Sequence, residues 1–96
     1  MIKHIVILNL KEENKIKNSK IIKKKLEALK NTIPEILMIS VNFSIKNVYT
    51  NSDLILECEF KNMDDLEKYQ SNFEHLEVVN FIKNVVTQRF CIEYEF

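Results

Sequence analysis

The stretch IKHIVILNL, Ile2 to Leu10, is what any fold for this chain must accommodate first. It is rich in β-branched residues, which favours an extended strand. Successive side chains on a strand point to opposite faces. One phase holds His4, Val6, Leu8 and Leu10, and the other holds Lys3, Ile5, Ile7 and Asn9. Both phases are largely apolar, so the strand asks for cover on both sides of its sheet. The chain has 96 residues, which suits one compact domain spanning 1–96. A domain of this size buries only roughly 60–65% of its unfolded surface, so a self-associating partner is the economical source of the second cover.

The remaining segments set the rest of the architecture. Residues 15–33 predict a helix, with Ile22, Leu26, Leu29 and Ile33 on one stripe and Pro34 ending it. Residues 36–45 alternate, Ile39, Val41, Phe43 and Ile45 against Met38, Ser40, Asn42 and Ser44, which predicts a second strand. KNVYTNS reads as a loop. Leu54, Leu56, Cys58 and Phe60 then alternate with Ile55, Glu57 and Glu59, completing an antiparallel hairpin. Asn62 is a good N-cap for a second helical region, with Asp64 and Asp65 in its first turn, where the helix dipole favours anions. A break near Ser71 and Asn72 precedes a further helix over 73–84, and Thr87 to Phe96 alternates as a fourth strand. The order βαββαβ predicts the α+β class. It is that of a ferredoxin-like, four-stranded antiparallel sheet with its helices on one face. A second subunit laying its sheet on the bare face makes a homodimer, a dimeric α/β barrel. Glu57, Glu59 and Asn42 on the less apolar phases predict a partly polar cavity between the two sheets.

Fourteen basic and fourteen acidic residues cancel, which is not the footprint of a nucleic-acid binder. The charge is uneven: residues 1–30 carry a net +6 and residues 31–96 a net −6. The lysines of KIKNSKIIKKKLEALK read as the solvated face of one helix or, alternatively, as a basic docking surface built on Lys20, Lys23 and Lys24. IVILNL is too short for a signal-peptide core, and no apolar run is long enough to span a bilayer, so a cytoplasmic location without membrane attachment is expected. Cys58 and Cys91 have no metal-binding spacing and read as small apolar strand residues. Glycine is absent, which removes every Gly-rich phosphate loop. Lysine outnumbers arginine thirteen to one, a compositional drift.

MIKHIVILNLK, IPEI, DLILECEFKNMDDLEKYQ and FEHLEVVNFI, taken in order, resemble the stress-responsive α/β-barrel domain (Dabb) family over nearly the whole chain. The resemblance implies a homodimer whose sheets form a barrel. One member, a cofactor-free plant polyketide cyclase, closes an aldol-type ring with a Tyr and a His in a Tyr-x-x-His-Pro-x-His pattern. Here the pattern reads Tyr69-Gln70-Ser71-Asn72-Phe73-Glu74-His75, so Tyr69 and His75 match its ends and His4 matches a first-strand His. Asn72 and Phe73 depart from it. Related dimeric ferredoxin-like monooxygenases often carry Trp, which this chain lacks.

Helical spacing places His75 on a stripe with Val78, Val79 and Ile82. Burial there disfavours the imidazolium, so the ring is expected neutral at pH 7 and competent as a base. Tyr69 is a candidate hydrogen-bond donor to a carbonyl oxygen on which charge builds, and His4 completes the candidate catalytic set. Each also has a plain packing reading. Asp64, Asp65, Glu74 and His75 match no familiar metal spacing, so neither metal nor cofactor is expected. The resulting expectation is a dimer that binds a small, largely apolar, carbonyl-bearing molecule in an intersheet cavity. The alternatives are a cofactor-free acid/base enzyme using His75 and Tyr69, polyketide-cyclase-like or, less in keeping, a monooxygenase.

Overall fold

A computed structural model describes all 96 residues. Strand β1 spans Ile2–Leu10, helix α1 Lys15–Ala28, β2 Met38–Phe43, β3 Leu54–Phe60, α2 Met63–Ser71, α3 Phe73–Val85 and β4 Val86–Glu95. A short 3-10 turn, Leu29–Asn31, extends α1. The sheet order is β2-β3-β1-β4 with every pair antiparallel, the ferredoxin-like arrangement predicted. Boundaries agree with the sequence reading to within a few residues. The predicted first helix loses its last turn to the 3-10 segment, and the second strand is shorter at both ends.

β1 lies at the centre of the sheet, and its alternation is visible in its burial. Ile2, His4, Val6, Leu8 and Leu10 are buried beneath the helices, while Lys3, Ile5, Ile7 and Asn9 are half-buried on the other face. The core joins these residues to Ile22, Leu26, Leu29 and Ile33 of the first helical region, to Leu54, Leu56, Cys58 and Phe60 of β3, and to Leu66 and Tyr69 of α2. The opposite face carries no helix. There Ile5 and Ile7 meet Ile92 and Phe90 of β4 across the strand pair, and Ile55 of β3 lies opposite Ile7. Phe90, Ile92 and Tyr94 are 56%, 61% and 44% exposed. The other half of this bare face is polar, with a Lys3–Glu59 ion pair at 2.8 Å.

α1 does more than present lysines to water. Lys23 and Glu27 sit one turn apart and pair at 2.9 Å. Glu27 accepts the Val41 backbone N–H at 3.0 Å, and Lys23 donates to the Val41 carbonyl. Val41 is in the middle of β2, an outer strand, so the two side chains close that edge of the sheet. The solvated-face reading therefore holds for Lys17, Lys20, Lys24 and Lys25 and fails for Lys23. With no glycine available, the turn into α1 is made by Asn14 at φ 57°, a conformation that Asn tolerates better than most residues.

Asp53 locks the end of β1 to the β2–β3 loop. Its carboxylate accepts the Leu10 N–H at 2.7 Å and meets Lys46 at 2.6 Å and Lys15 at 3.2 Å. Burial pushes its pKa up, but Lys46, the Leu10 amide and Lys15 outweigh this and hold it below the ordinary 3.8. Asp53→Ala is expected to cost about 2–3 kcal/mol, because a backbone donor and two ammonium groups lose their acceptor. Urea denaturation at neutral pH measures this. The gap to the wild-type protein is expected to close as pH falls below the carboxylate range, where the wild-type chain loses the same interaction.

Candidate functional site

α3 follows α2 with a single residue between them, and Asn72 is that residue. Its backbone N–H bonds the Tyr69 carbonyl, and its side chain accepts the Glu74 N–H at 2.8 Å, so it ends one helix and caps the next. Phe73 then occupies the first position of α3, where a proline is also well accommodated. At its far end α3 runs into β4 without a loop, Val85 to Val86. Between these ends α3 packs against α1 and α2, with Val78 in the core and Phe81 and Val85 packed against it. The gap beneath α3 is a cavity of about 640 Å³. Val6, Leu8 and Leu56 form its sheet side and Leu76, Val79 and Ile82 its α3 side.

His4 and His75 both line this cavity. His75 lies in the first turn of α3, and its Nδ1 donates to the Gln70 carbonyl at 3.2 Å, which leaves Nε2 as the acceptor. Burial lowers its pKa, and the Gln70 hydrogen bond offsets this only in part. His4 is 3% exposed. It faces Glu93 directly in the β1–β4 register, and its Nδ1 donates to Glu93 Oε2 at 2.7 Å. Its pKa is also lowered, by burial, against the opposing pull of Glu93. Glu93 accepts a second hydrogen bond from the Gln70 side chain at 3.2 Å. Two neutral imidazoles thus have their Nδ1 atoms anchored and their Nε2 lone pairs unclaimed.

Tyr69 is placed differently from the expectation. Its ring is wholly buried and stacks behind His75 at 4.2 Å, with Phe60 at 5.1 Å and His4 at 6.1 Å. It does not line the cavity. Its hydroxyl has no hydrogen-bond acceptor and lies beside the Cys58 thiol. Burial pushes the phenol well above its ordinary pKa and the Cys58 thiol up to about 12. The cause is the phase of α2, where Tyr69 falls one turn after Leu66 on the buried stripe. The cavity that the two histidines line lies within one protomer. His4 shares its phase with Val6 and Leu8, which face the helices, so these two histidines meet between the sheet and α3.

β4 contributes residues that sequence reasoning passed over. Arg89, Cys91 and Glu93 share the phase that faces the helices, opposite Leu8, Val6 and His4. The register shifts between Asn9 and Leu10, where Thr87 is the extra residue and donates to the Asn9 carbonyl at 3.1 Å. His4, Cys91 and Glu93 bring three donor atoms within 4.8 Å of one another. The His4–Glu93 separation of 2.7 Å is a hydrogen bond, shorter than the about 3.3 Å edge of a zinc tetrahedron. The set is therefore closed as an acid–imidazole pair, with Cys91 Sγ 3.8 Å from the same nitrogen.

This fold places the chain in a class, the ferredoxin-like α+β domains. The sequence profile of the Stress responsive A/B Barrel Domain matches residues 2–96, and the chain belongs to that family. No curated protein matches the sequence. A dimeric protein of unknown function and ferredoxin-like fold from Bacteroides fragilis is 30% identical, with a TM-score of 0.91 over 99% of this chain and 95% of that one. A hydroxynitrile lyase from Passiflora edulis is 16% identical, with a TM-score of 0.86 over 97% and 90%. A putative antibiotic biosynthesis monooxygenase from Nitrosomonas europaea is 13% identical, with a TM-score of 0.82 over 100% and 98%. At these two lower identities the likeness concerns the fold. No helix of the chain is long and apolar enough to cross a membrane.

Both histidines make folding sensitive to mild acid. Above the ordinary value of 6.5 they are neutral in folded and unfolded chains alike. Below it the unfolded chain takes up protons first, so stability is lost as pH falls through the lowered native values. Urea denaturation at pH 7.5 and 5.5 is expected to show lower stability at 5.5. His75→Gln is expected to flatten that slope.

Proposed function

We propose that the protein is a homodimer. In each protomer the cavity between β1, β4 and α3 binds a small, largely apolar, carbonyl-bearing molecule and performs cofactor-free acid/base chemistry on it. One observation carries the reading. Two neutral histidines, each anchored through Nδ1, line one cavity walled by aliphatic side chains. A neutral imidazole held in one tautomer is a competent base at pH 7.

His75 is the base in this reading. Its Nε2 takes a proton from the carbon beside the carbonyl, and the C–H electron pair moves into the enolate. Tyr69 supports the His75 ring from behind and does not act as the acid. Gln70 lines the cavity and retains a second amide N–H beyond the one given to Glu93, so it is the neutral donor for the enolate oxygen. Glu93 fixes the tautomer of His4 and stabilises its imidazolium when His4 takes a proton. The dimer follows from the bare sheet face, where Ile5, Ile7, Ile55, Phe90 and Ile92 form a continuous apolar surface. The dimeric relative from Bacteroides fragilis supports it.

Deuterium incorporation beside the carbonyl of a medium-chain methyl ketone in heavy water, followed by NMR, tests the chemistry. The wild-type protein is expected to accelerate exchange, and His75→Gln to lower the rate about a hundredfold. Exchange no faster than buffer in the wild-type protein defeats the acid/base reading. Sedimentation tests the assembly separately: a dimer at micromolar concentration is expected, and Ile92→Glu is expected to sediment as a monomer.

A further inference from the structure

The cavity carries an excess of positive charge. Among its fifteen lining residues are Lys83 and Arg89, and none is acidic. The chain as a whole is neutral, with as many acidic as basic groups, so this local excess is not inherited from composition. Neither cation is in an ion pair. All six pairs in the molecule use other residues, and the nearest carboxylate along the same phase of β4, Glu93, is held by His4 and Gln70. Lys83 projects from α3 and Arg89 from β4, so the two come from opposite walls. The β-bulge at Thr87 sets the phase that turns Arg89 toward the helices, opposite Leu8.

The identity of the residue adds to its position. Thirteen of the fourteen basic side chains are lysine, and the one arginine lies at this cavity. A guanidinium offers a planar fork that matches a carboxylate with two parallel hydrogen bonds, which an ammonium cannot do. Both cations are exposed and sit at the rim of the cavity, where an anion entering between them is flanked by positive charge on two sides.

We infer that the cavity selects an organic acid: the apolar body packs on Val6, Leu8, Val79 and Ile82, and the carboxylate is held by Arg89 with Lys83. This rests on the proposed function and narrows its ligand class from carbonyl compounds in general to oxo acids. It places the reacting carbonyl near His75 because the acid end is fixed at Arg89.

Calorimetric titration of the native protein with a medium-chain γ-oxo acid and with its methyl ester tests this. The acid is expected to bind about tenfold to a hundredfold more tightly than the ester. Arg89→Gln is expected to bring the acid down to the ester's affinity and leave the ester unchanged. Arg89→Lys is expected to recover part of the difference, and added salt to weaken the acid alone. Equal affinities in the wild-type protein overturn the inference and leave the broader reading standing. Binding of neither compound overturns both. If Arg89→Gln instead shifts the sedimentation of the dimer and leaves the acid preference intact, the arginine serves the subunit contact and the inference fails.

Discussion

The antiparallel pairing of β1 with β4 is the interaction on which the rest depends. It fixes at once which side chains face the helices and which face outward. On one side it sets His4 against Glu93 and Leu8 against Arg89; on the other it sets Ile5 against Ile92 and Ile7 against Phe90. A slip of β4 by one residue would turn its aromatic phase under α3 and carry Arg89 and Glu93 to the other face, leaving His4 without its partner. The bulge at Thr87 lets β4 leave α3 without a loop and still reach this register.

Because α3 leans on α1 and α2, the helix layer buries the inner face of β1 and leaves β4 partly uncovered. The gap is thus a product of helix packing, not of missing side chains. Its chemistry follows from where each wall originates. α3 supplies aliphatic residues, one histidine and Lys83, β1 the other histidine, α2 Gln70, and β4 Thr87, Gln88 and Arg89. The α2–α3 junction aligns these walls, since Gln70 holds His75 through its carbonyl and Glu93 through its amide. A helix break, a strand pair and a buried imidazole are therefore mechanically joined.

Most of the architecture was legible from the sequence, because it rests on local periodicity. The period-two strands, the stripe Ile22–Leu26–Leu29–Ile33 and the cap at Asn62 each declare themselves over a few residues. The inward turn of His75 was legible for the same reason. Glu93, Arg89 and the sheltered position of Tyr69 were not. Phe90, Ile92, Tyr94 and Phe96 are the more apolar phase of β4, and an isolated strand would be expected to turn that phase to the core. Here it faces outward, and Arg89, Cys91 and Glu93 face in. Only the register against β1 reveals this, and register is a long-range property. The lysine-rich helix misled in a similar way, since the role of Lys23 depends on a strand that arrives eighteen residues later.

The clamp that Lys23 and Glu27 place on Val41 has a consequence for assembly. A sheet can lengthen by edge pairing only through strands whose outward amides and carbonyls are available. β2 has surrendered those at its midpoint, and β4 has not. Growth of the sheet is therefore one-sided. Two chains meeting through their β4 edges leave only clamped β2 edges outermost, so such pairing ends with the pair. An open fibre needs two sticky edges on each copy, and this chain keeps one.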